Sequence, residues 1–250
     1  MTDKKNIVID LYNPQSWVND IAKELKNYNI ILPTEEILHN WGLSNYILST
    51  DEQKIIDFMK DFEIIAYHGC KTFNVSSYYN NGIIVPDKAM YYKLFKQYAK
   101  ELNLKLDANL KEKIKLKLAE TELEHKIFAL LSPEEFYDKC SGYISFGSEF
   151  LVTLFNLCYY KETVYTKLLS IGKPTVIRIK IPISKFVPYI QEEICSEILK
   201  CYLNALKGDE YVITASTVFH TNIHPKYIDS HFYINNFYSY HLQKDIVINI

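Results

Sequence analysis

The chain is short of arginine, and its charges nearly cancel. Arg178 is its one arginine, although lysine and arginine together number 28 among 250 residues. Paired hydrogen bonds from arginine to phosphate or guanine are therefore almost unavailable. With 30 acidic residues the formal net charge is -2. This balance excludes a global positive field that would attract nucleic acid.

Long apolar runs and paired cysteines are also missing. The longest apolar run, near 150–160, is broken by Thr153 and Asn156, so no membrane-spanning segment is expected. The first residues lack the pattern of a signal peptide. The five cysteines are odd in number and never form a C-x-x-C pair, which disfavours disulfides and structural zinc. We expect a cytoplasmic protein, or one delivered into the cytosol of a target cell, with no membrane partner.

The first half of the sequence is mainly helical. A composition of 48% hydrophobic residues, with 21 tyrosines, is that of a globular protein. Helical spacing predicts helices over 16–26 and 34–41, and Thr50 with Gln53 predicts a capping box that opens a third helix. Residues 63–68 predict a strand that ends at Gly69. Most of the segment 87–131 has a helical pattern, which predicts two helices with a break near 103–107.

The second half alternates strands and helices irregularly. Helices are expected over 148–169 and over 191–207, the latter ended by Gly208. Strands are predicted over 143–147, 174–182, 210–217, 227–234 and 245–250. Helices followed by strands with helical inserts indicate the α+β class. We expect a helical N-terminal region over 1–62 and one further domain over 63–250, with a long helical insert at 87–140.

Three separated pieces place a polar group in or beside an apolar strand. The first is Tyr67-His68-Gly69, followed by the turn sequence Asn81-Gly82-Ile83. The second is Gly142-Tyr143-Ile144-Ser145-Phe146, a predicted strand that leads into a helix. The third is Glu210-Tyr211-Val212-Ile213, where a residue of poor strand propensity begins an apolar strand.

In this order the pieces resemble the ADP-ribosyltransferase superfamily, in its branch with a His-Tyr-Glu triad. Tyr67-His68-Gly69-Cys70 is similar to the first-strand His-Gly-Thr motif, and Glu210-Tyr211-Val212-Ile213 to the late Glu-Tyr-Ile-Val motif. The resemblance covers about 63–234 without the insert. It implies a split-sheet core that binds NAD as a substrate and needs no metal.

The resemblance also implies roles for individual residues. His68 would bond the ribose of the adenosine half of NAD, and the backbone of Gly69 would hold the nicotinamide carboxamide. Glu210 would bond the nicotinamide ribose and stabilise the oxocarbenium-like transition state. Ser145 stands where the branch has tyrosine, so the triad becomes His-Ser-Glu. Gly208, two residues before Glu210, disfavours arginine as the modified residue.

Other positions of the implied NAD site also depart from the family. Thr153 matches a small hydroxyl residue that holds the carboxamide. Asn156 stands at the position of the tyrosine that stacks on nicotinamide. Phe155, Tyr159 or Tyr143 could replace that ring.

The implied function is transfer of mono-ADP-ribose from NAD to a macromolecule, or NAD hydrolysis when no acceptor is bound. A protein acceptor is favoured over nucleic acid. Such an enzyme would suit a bacterial toxin, an effector or an anti-phage protein, with a cognate inhibitor or antitoxin as a further partner. We expect the helical insert to set acceptor choice.

Several alternatives stay open beside this interpretation. The fold could have lost its chemistry and bind a partner through the lysine-rich insert, or the acceptor could be nucleic acid. The alternating lysines at 111–117 fit a solvated helix face or a docking stripe. A nucleophilic Cys70–His68 pair is disfavoured, on the ground that adjacent strand residues point to opposite faces. A metal site at His220 and His224 is disfavoured because no further ligand accompanies them.

Overall fold

The computed structural model describes residues 7–159, 161–209, 211–213 and 215–248, and it has the mixed α+β class that the sequence predicts. Within the described residues the helices are α1 (Val18–Asn27), α2 (Glu35–Leu38), α3 (Thr50–Met59), α4 (Ser76–Asn81), α5 (Lys88–Glu101), α6 (Ala108–Glu120), α7 (Ser141–Phe146), α8 (Glu149–Phe155), α9 (Lys161–Leu169) and α10 (Pro188–Lys207). The strands are β1 (Val8–Ile9), β2 (Glu63–Thr72), β3 (Ile127–Leu130), β4 (Lys173–Pro182), β5 (Ser216–Phe219), β6 (Ile228–Tyr233), β7 (Asn236–Ser239) and β8 (Lys244–Val247).

The main sheet is mostly antiparallel. Its strand order is β5-β3-β2-β4-β6, and β1 pairs with β2 in parallel. In the antiparallel pair of β2 and β3, Tyr67 lies opposite Leu130. Strands β7 and β8 form a separate antiparallel pair. The central position of β2 means that the first predicted motif, Tyr67-His68-Gly69, lies on a strand with a neighbour on each side.

Contacts divide the chain into two compact units, of which the first comprises residues 1–67, 128–132 and 178–218. Its longest helix, α10, packs against α2 and α3. Apolar residues at helical spacing on α10, including Ile190, Ile194 and Ile198, are buried. The helix ends at Gly208, whose φ of 77° suits glycine at a helix C-terminus. The predicted end of this helix is therefore confirmed.

The second unit comprises residues 68–127, 133–177 and 219–250. Its core is formed by five helices, α5 to α9, which together bury Phe95, Tyr98, Ile114, Phe146 and Phe155, among other residues. These are apolar positions at helical spacing, so the helices are held by burial of one face each. The predicted break near 103–107 is confirmed, because α5 ends at Glu101 and α6 begins at Ala108.

The structure corrects several predicted elements. Residues 141–146 form the helix α7, so the predicted strand over 143–147 is wrong. Residues 127–130 form strand β3, so the prediction of helix over most of 87–131 is wrong for this segment. The helix predicted over 148–169 is two helices, α8 and α9. Strand β2 continues beyond Gly69 to Thr72.

Smaller corrections concern helix capping and membrane crossing. The capping box of α3 is formed by Ser49 and Glu52, one residue before the predicted pair. None of the described helices is both long enough and apolar enough to span a membrane.

Candidate functional site

The candidate site is the second half of β2, residues 68–72. His68 is half-buried, whereas Cys70, Lys71 and Thr72 are buried. Alternation along the strand places His68, Cys70 and Thr72 on one face and Gly69 and Lys71 on the other. Each face of this strand therefore carries polar groups inside the second unit.

Gly69 is packed against an aromatic ring. A β carbon added at this position would overlap the side chain of Phe136, which is 3% exposed. A glycine is therefore required here for the close approach of the ring. A ligand that approached the α carbon of Gly69 from this side would have to displace Phe136. The resemblance implies that the Gly69 backbone meets nicotinamide, whereas here a phenylalanine of the chain itself meets it.

Cys70 is buried, and its thiol and the hydroxyl of Tyr78 influence each other's ionisation. Burial raises the pKa of the Cys70 thiol to about 12, so the thiol stays protonated near neutral pH. Burial and the thiol also raise the pKa of Tyr78 well above its ordinary value. His68 and Cys70 lie two residues apart and therefore share a face of the strand. The expectation that strand geometry points them to opposite faces is wrong. Burial of the thiol is what makes Cys70 a poor nucleophile.

Lys71 is the most unusual group of the site. Its side chain is 6% exposed, and its Nζ donates hydrogen bonds to the carbonyl oxygens of Ser145, at 2.7 Å, and Leu169, at 3.2 Å. The Tyr98 hydroxyl donates to the backbone carbonyl of Lys71 at 3.0 Å. Burial lowers the pKa of Lys71 to about 7.

The two acceptors of Lys71 explain why a buried lysine is tolerated. Ser145 and Leu169 lie in the last turns of α7 and α9, where carbonyl groups lack partners within the helix and carry partial negative charge. The ammonium satisfies both carbonyls and joins the two helix ends to β2. Lys71 is thus bound within the fold, and its Nζ is not presented to a substrate.

Ser145 does not fit the implied middle position of a catalytic triad. It lies on α7, is fully buried, and its Oγ donates to the carbonyl of Ser141 at 2.5 Å. A serine that bonds the carbonyl four residues earlier is common in helices. Its hydroxyl is therefore engaged within its own helix, and the implied contact of Ser145 with NAD is not supported.

The other implied contacts of nicotinamide are dispersed by the fold. Thr153 lies on α8, and its hydroxyl donates to the carbonyl of Glu149 at 3.0 Å. Phe155 is fully buried and packs against Phe95, with ring centroids 4.7 Å apart, so it offers no stacking face to a ligand. Asn156, at the position implied to stack on nicotinamide, is exposed.

Tyr143 and Tyr159 keep some solvent exposure. Tyr143 is 37% exposed and Tyr159 is half-buried, and burial raises the pKa of both hydroxyls. Both phenols therefore stay neutral near pH 7. Of the three rings considered as replacements for the stacking tyrosine, these two keep a partly open surface.

Glu210 lies outside the described residues, so its position in the fold stays a prediction. Residues 211–213, which were predicted to continue a strand, have no regular secondary structure. The Tyr211 hydroxyl donates to Glu197 on α10 at 2.9 Å. The strand in this region, β5, begins only at Ser216.

The turn after β2 has the local structure that its sequence predicts. Helix α4 ends at Gly82, which has a φ of 74°. A β carbon there would overlap the carbonyl of Ile223, because Ile83 and Ile223 exchange backbone hydrogen bonds at 2.8 and 3.0 Å. Gly82 therefore needs both its left-handed backbone and its small size.

Phe136 and Lys71 are the residues of this site that the sequence analysis missed. Phe136 follows Pro133-Glu134-Glu135 in a short 3-10 turn, and nothing in that sequence indicates contact with Gly69. The sequence holds only a weak signal for Lys71, because a lysine of low strand propensity follows the apolar run Ile64-Ile65-Ala66 by a few residues.

No group of three or more potential metal ligands occurs within the part of the chain that the structure describes. His224 caps a 3-10 turn, where its Nδ1 accepts a hydrogen bond from the backbone of Lys226 at 3.2 Å. Comparisons of the chain with protein-family models, with curated proteins and with solved structures find no match.

Proposed function

We propose that the chain is an NAD-dependent mono-ADP-ribosyltransferase that modifies a macromolecule, with His68 and Glu210 as the residues that act on NAD. The observation that carries the proposal is the setting of Tyr67-His68-Gly69. The motif lies on β2, between β3 and β4 of a mostly antiparallel sheet. A short helix and the left-handed Gly82 follow it. This is the local order that the resemblance implies for the strand that binds NAD.

The proposed reaction requires the protein to bind NAD and to stabilise the charge that develops in the transition state. A ring nitrogen of His68 can donate a hydrogen bond to a ribose hydroxyl, and the half-buried position of the side chain leaves part of it accessible. Glu210 would stabilise the positive charge that develops on the nicotinamide ribose as the C–N bond to nicotinamide breaks. One well-placed group of this kind contributes about 10²- to 10³-fold in rate.

Ser145 has no part in the proposed mechanism, because its hydroxyl is buried and bonded within α7. Phe136 either moves from Gly69 when NAD binds or leaves the nicotinamide to bind elsewhere along β2. The proposal therefore keeps the first and last motifs of the resemblance and omits the middle one.

The test is release of nicotinamide from NAD by the purified protein, with a cell lysate as the source of acceptor. We expect Glu210→Gln to reduce release by about 10²-fold or more. His68→Ala should reduce it through weaker NAD binding. Ser145→Ala is the matched control and should stay within about twofold of the wild type, because it removes a buried hydroxyl outside the proposed mechanism.

Two results would contradict the mechanism. Full release by Glu210→Gln would exclude this carboxylate as the catalytic group. A large loss in Ser145→Ala, with its melting temperature unchanged, would restore serine to the site.

A second candidate is an inactive module of the same fold that binds a partner. The burial of Ser145 and the exposure of Asn156 favour it, because two implied NAD contacts are then missing. A folded wild-type protein that releases no nicotinamide, with or without lysate, would select this candidate.

A further inference from the structure

Positive charge is concentrated on one pair of helices. Residues 88–120, which comprise α5, α6 and the segment between them, contain nine lysines and four acidic residues. This segment therefore carries a net charge of +5 on a chain whose formal net charge is -2. The near-neutral total conceals a strongly basic segment of the second unit. We call α5, α6 and their connection the basic hairpin.

The two helices run antiparallel, side by side. The Nζ of Lys88, at the start of α5, donates to the carbonyl of Ala119, near the end of α6, at 2.8 Å. Their inner faces are held by buried apolar residues, among them Phe95 on α5 and Ile114 on α6. With 14 and 13 residues, the helices are each about 20 Å long. The lysines are thereby arrayed along a rigid scaffold.

These lysines lack the ionic partners that lysines have elsewhere in the chain. Lys54, Lys60 and Lys207 each form a salt bridge with a carboxylate at 2.5 to 3.1 Å. Among the described residues, none of the nine lysines of the basic hairpin forms one, and eight of the nine are exposed. One acidic residue of the hairpin, Asp107, is engaged as the N-cap of α6. The positive charge is therefore largely uncompensated and faces solvent.

We propose that the basic hairpin binds nucleic acid through its phosphate backbone, without selecting a base sequence. Lysines without salt bridges that recur along two helices of about 20 Å match a polymer whose charges repeat along its length. Lysine contacts phosphate as a point charge, and the chain's one arginine, Arg178, lies outside the hairpin, so forked arginine contacts to guanine are not available there. This proposal does not depend on the transferase chemistry, because binding needs no NAD.

The composition of the hairpin surface favours nucleic acid over a lipid membrane. Helices that lie on membranes place large apolar side chains on the face that enters the lipid. On residues 88–120 the only exposed large hydrophobic side chain is Leu116. Binding would therefore rest on charge alone and should weaken steeply with salt.

The experiment measures binding of a fluorescently labelled single-stranded oligonucleotide of about 20 nucleotides, as DNA and as RNA, without NAD. The test variant is Lys93→Glu, Lys96→Glu and Lys100→Glu on α5. The matched control is Lys23→Glu, Lys26→Glu and Lys185→Glu, three exposed lysines of the first unit with the same total change in charge. A second test variant carries Lys111→Glu, Lys113→Glu and Lys115→Glu on α6, so the proposal can still be tested if the first variant does not fold.

We expect the wild type to bind both oligonucleotides, with affinity that falls at least tenfold between about 50 and 200 mM salt. Each test variant should lose about tenfold or more in affinity at low salt, and the control should stay within about threefold. The proposal would be overturned if the test and control variants lost the same amount of affinity. It would also be overturned if the folded wild type did not bind either oligonucleotide. Binding to vesicles of anionic lipid but not to either oligonucleotide would overturn it as well. Because nicotinamide release is not measured, failure here leaves the proposed function standing.

Discussion

At the scale of single residues, the ionisation of Lys71 makes the stability of the fold depend on pH. The lysine is buried and bonded to the ends of two helices, and its pKa is lowered to about 7. Below that pH the ammonium is charged in both the folded and the unfolded chain, and burying the charge lowers stability. As the pH rises through 7 the folded protein releases this proton, whereas the unfolded chain keeps it until about 10.5. The unfolded state then binds more protons, so stability rises with pH.

We therefore expect Lys71→Met to remove a pH dependence. In the wild type, the free energy of unfolding should gain up to ~1.4 kcal/mol per pH unit from Lys71 above pH 7. The variant should lose this slope and should be less stable at pH 8.5 because two buried carbonyls lose their donor. Denaturant unfolding of both proteins between pH 6 and 8.5 measures the effect. Thiols of the unfolded chain begin to ionise near pH 8.5 in both proteins, so the difference between the two curves isolates Lys71.

The exposed Lys23 provides the control for this measurement. Lys23→Met should follow the wild-type curve at every pH. A slope that persists unchanged in Lys71→Met would assign the pH dependence to other groups.

At the scale of elements, the start of α3 is fixed by one carboxylate. Glu52 is 8% exposed and accepts hydrogen bonds from the Trp41 indole at 3.1 Å, from the Tyr46 hydroxyl at 2.6 Å and from the backbone of Ser49 at 2.6 Å. Burial alone would raise the pKa of Glu52, but the hydrogen bonds lower it to about 2. The capping box therefore also ties α3 to the preceding loop.

We expect Glu52→Gln to destabilise the protein by ~1–3 kcal/mol at pH 7, because an amide accepts fewer hydrogen bonds at these donors. The folded pKa lies below the unfolded value of about 4.5, so this stabilisation is complete above pH 4.5 and is lost as the pH falls toward 2. Thermal melting of both proteins at pH 7 and pH 3 should show the difference shrink.

Asp51→Asn serves as the comparison, because Asp51 is exposed on the same helix and forms a surface salt bridge with Lys54. Its effect should stay below about 1 kcal/mol. Equal losses in the two variants would mean that Glu52 acts only as a surface charge.

The elements that could be predicted from the sequence are those in which an apolar pattern repeats over many residues or a characteristic residue marks the end. Helix α10 has five turns of apolar spacing and a terminal glycine, and the second half of β4 alternates buried isoleucines with Arg178 and Lys180. Helix α7 was mistaken for a strand because six residues fit both periods. Its buried residues Ser141, Ile144 and Ser145 follow the helical spacing of three and four. Strand β3 is four residues long and follows a helix, so its short apolar run gave no separate period.

The candidate site was predictable only where its geometry is local. The strand position of His68 and the turn at Gly82 follow from neighbouring residues, and the structure confirms both. The contact of Phe136 with Gly69 joins residues 67 positions apart, and the bond of Lys71 to Leu169 joins residues 98 apart. Such partners depend on tertiary packing, which no local pattern reports.

At the scale of the whole molecule, the chain is held together without disulfides. All five cysteines are free; Cys70, Cys195 and Cys201 are buried, and Cys140 and Cys158 are half-buried. Burial raises the pKa of Cys140 and of Cys158 to about 11, so even the accessible thiols are weakly reactive near neutral pH.

We expect at most two of the five thiols to react quickly with a maleimide at pH 7, and all five to react after unfolding in guanidinium chloride. A reducing agent should leave the melting temperature unchanged. Mass spectrometry of the labelled protein counts the reacted thiols, and rapid labelling of three or more in the native protein would contradict the described burial.

The central place of β2 in the sheet has a consequence for synthesis on the ribosome. Its neighbours β3 and β4 begin more than 50 and 100 residues later in the chain, yet β2 carries Ile64, Ile65 and Ala66, which are fully buried in the finished protein. At about 5–20 residues per second, these side chains emerge several seconds before β4 exists to pair with them. During that interval the nascent chain presents an apolar strand that lacks its β3 and β4 neighbours, although the short β1, already synthesised, can pair with its first residues. Whether this strand avoids aggregation depends on the rate of elongation and on which contacts cover it until β3 and β4 are synthesised.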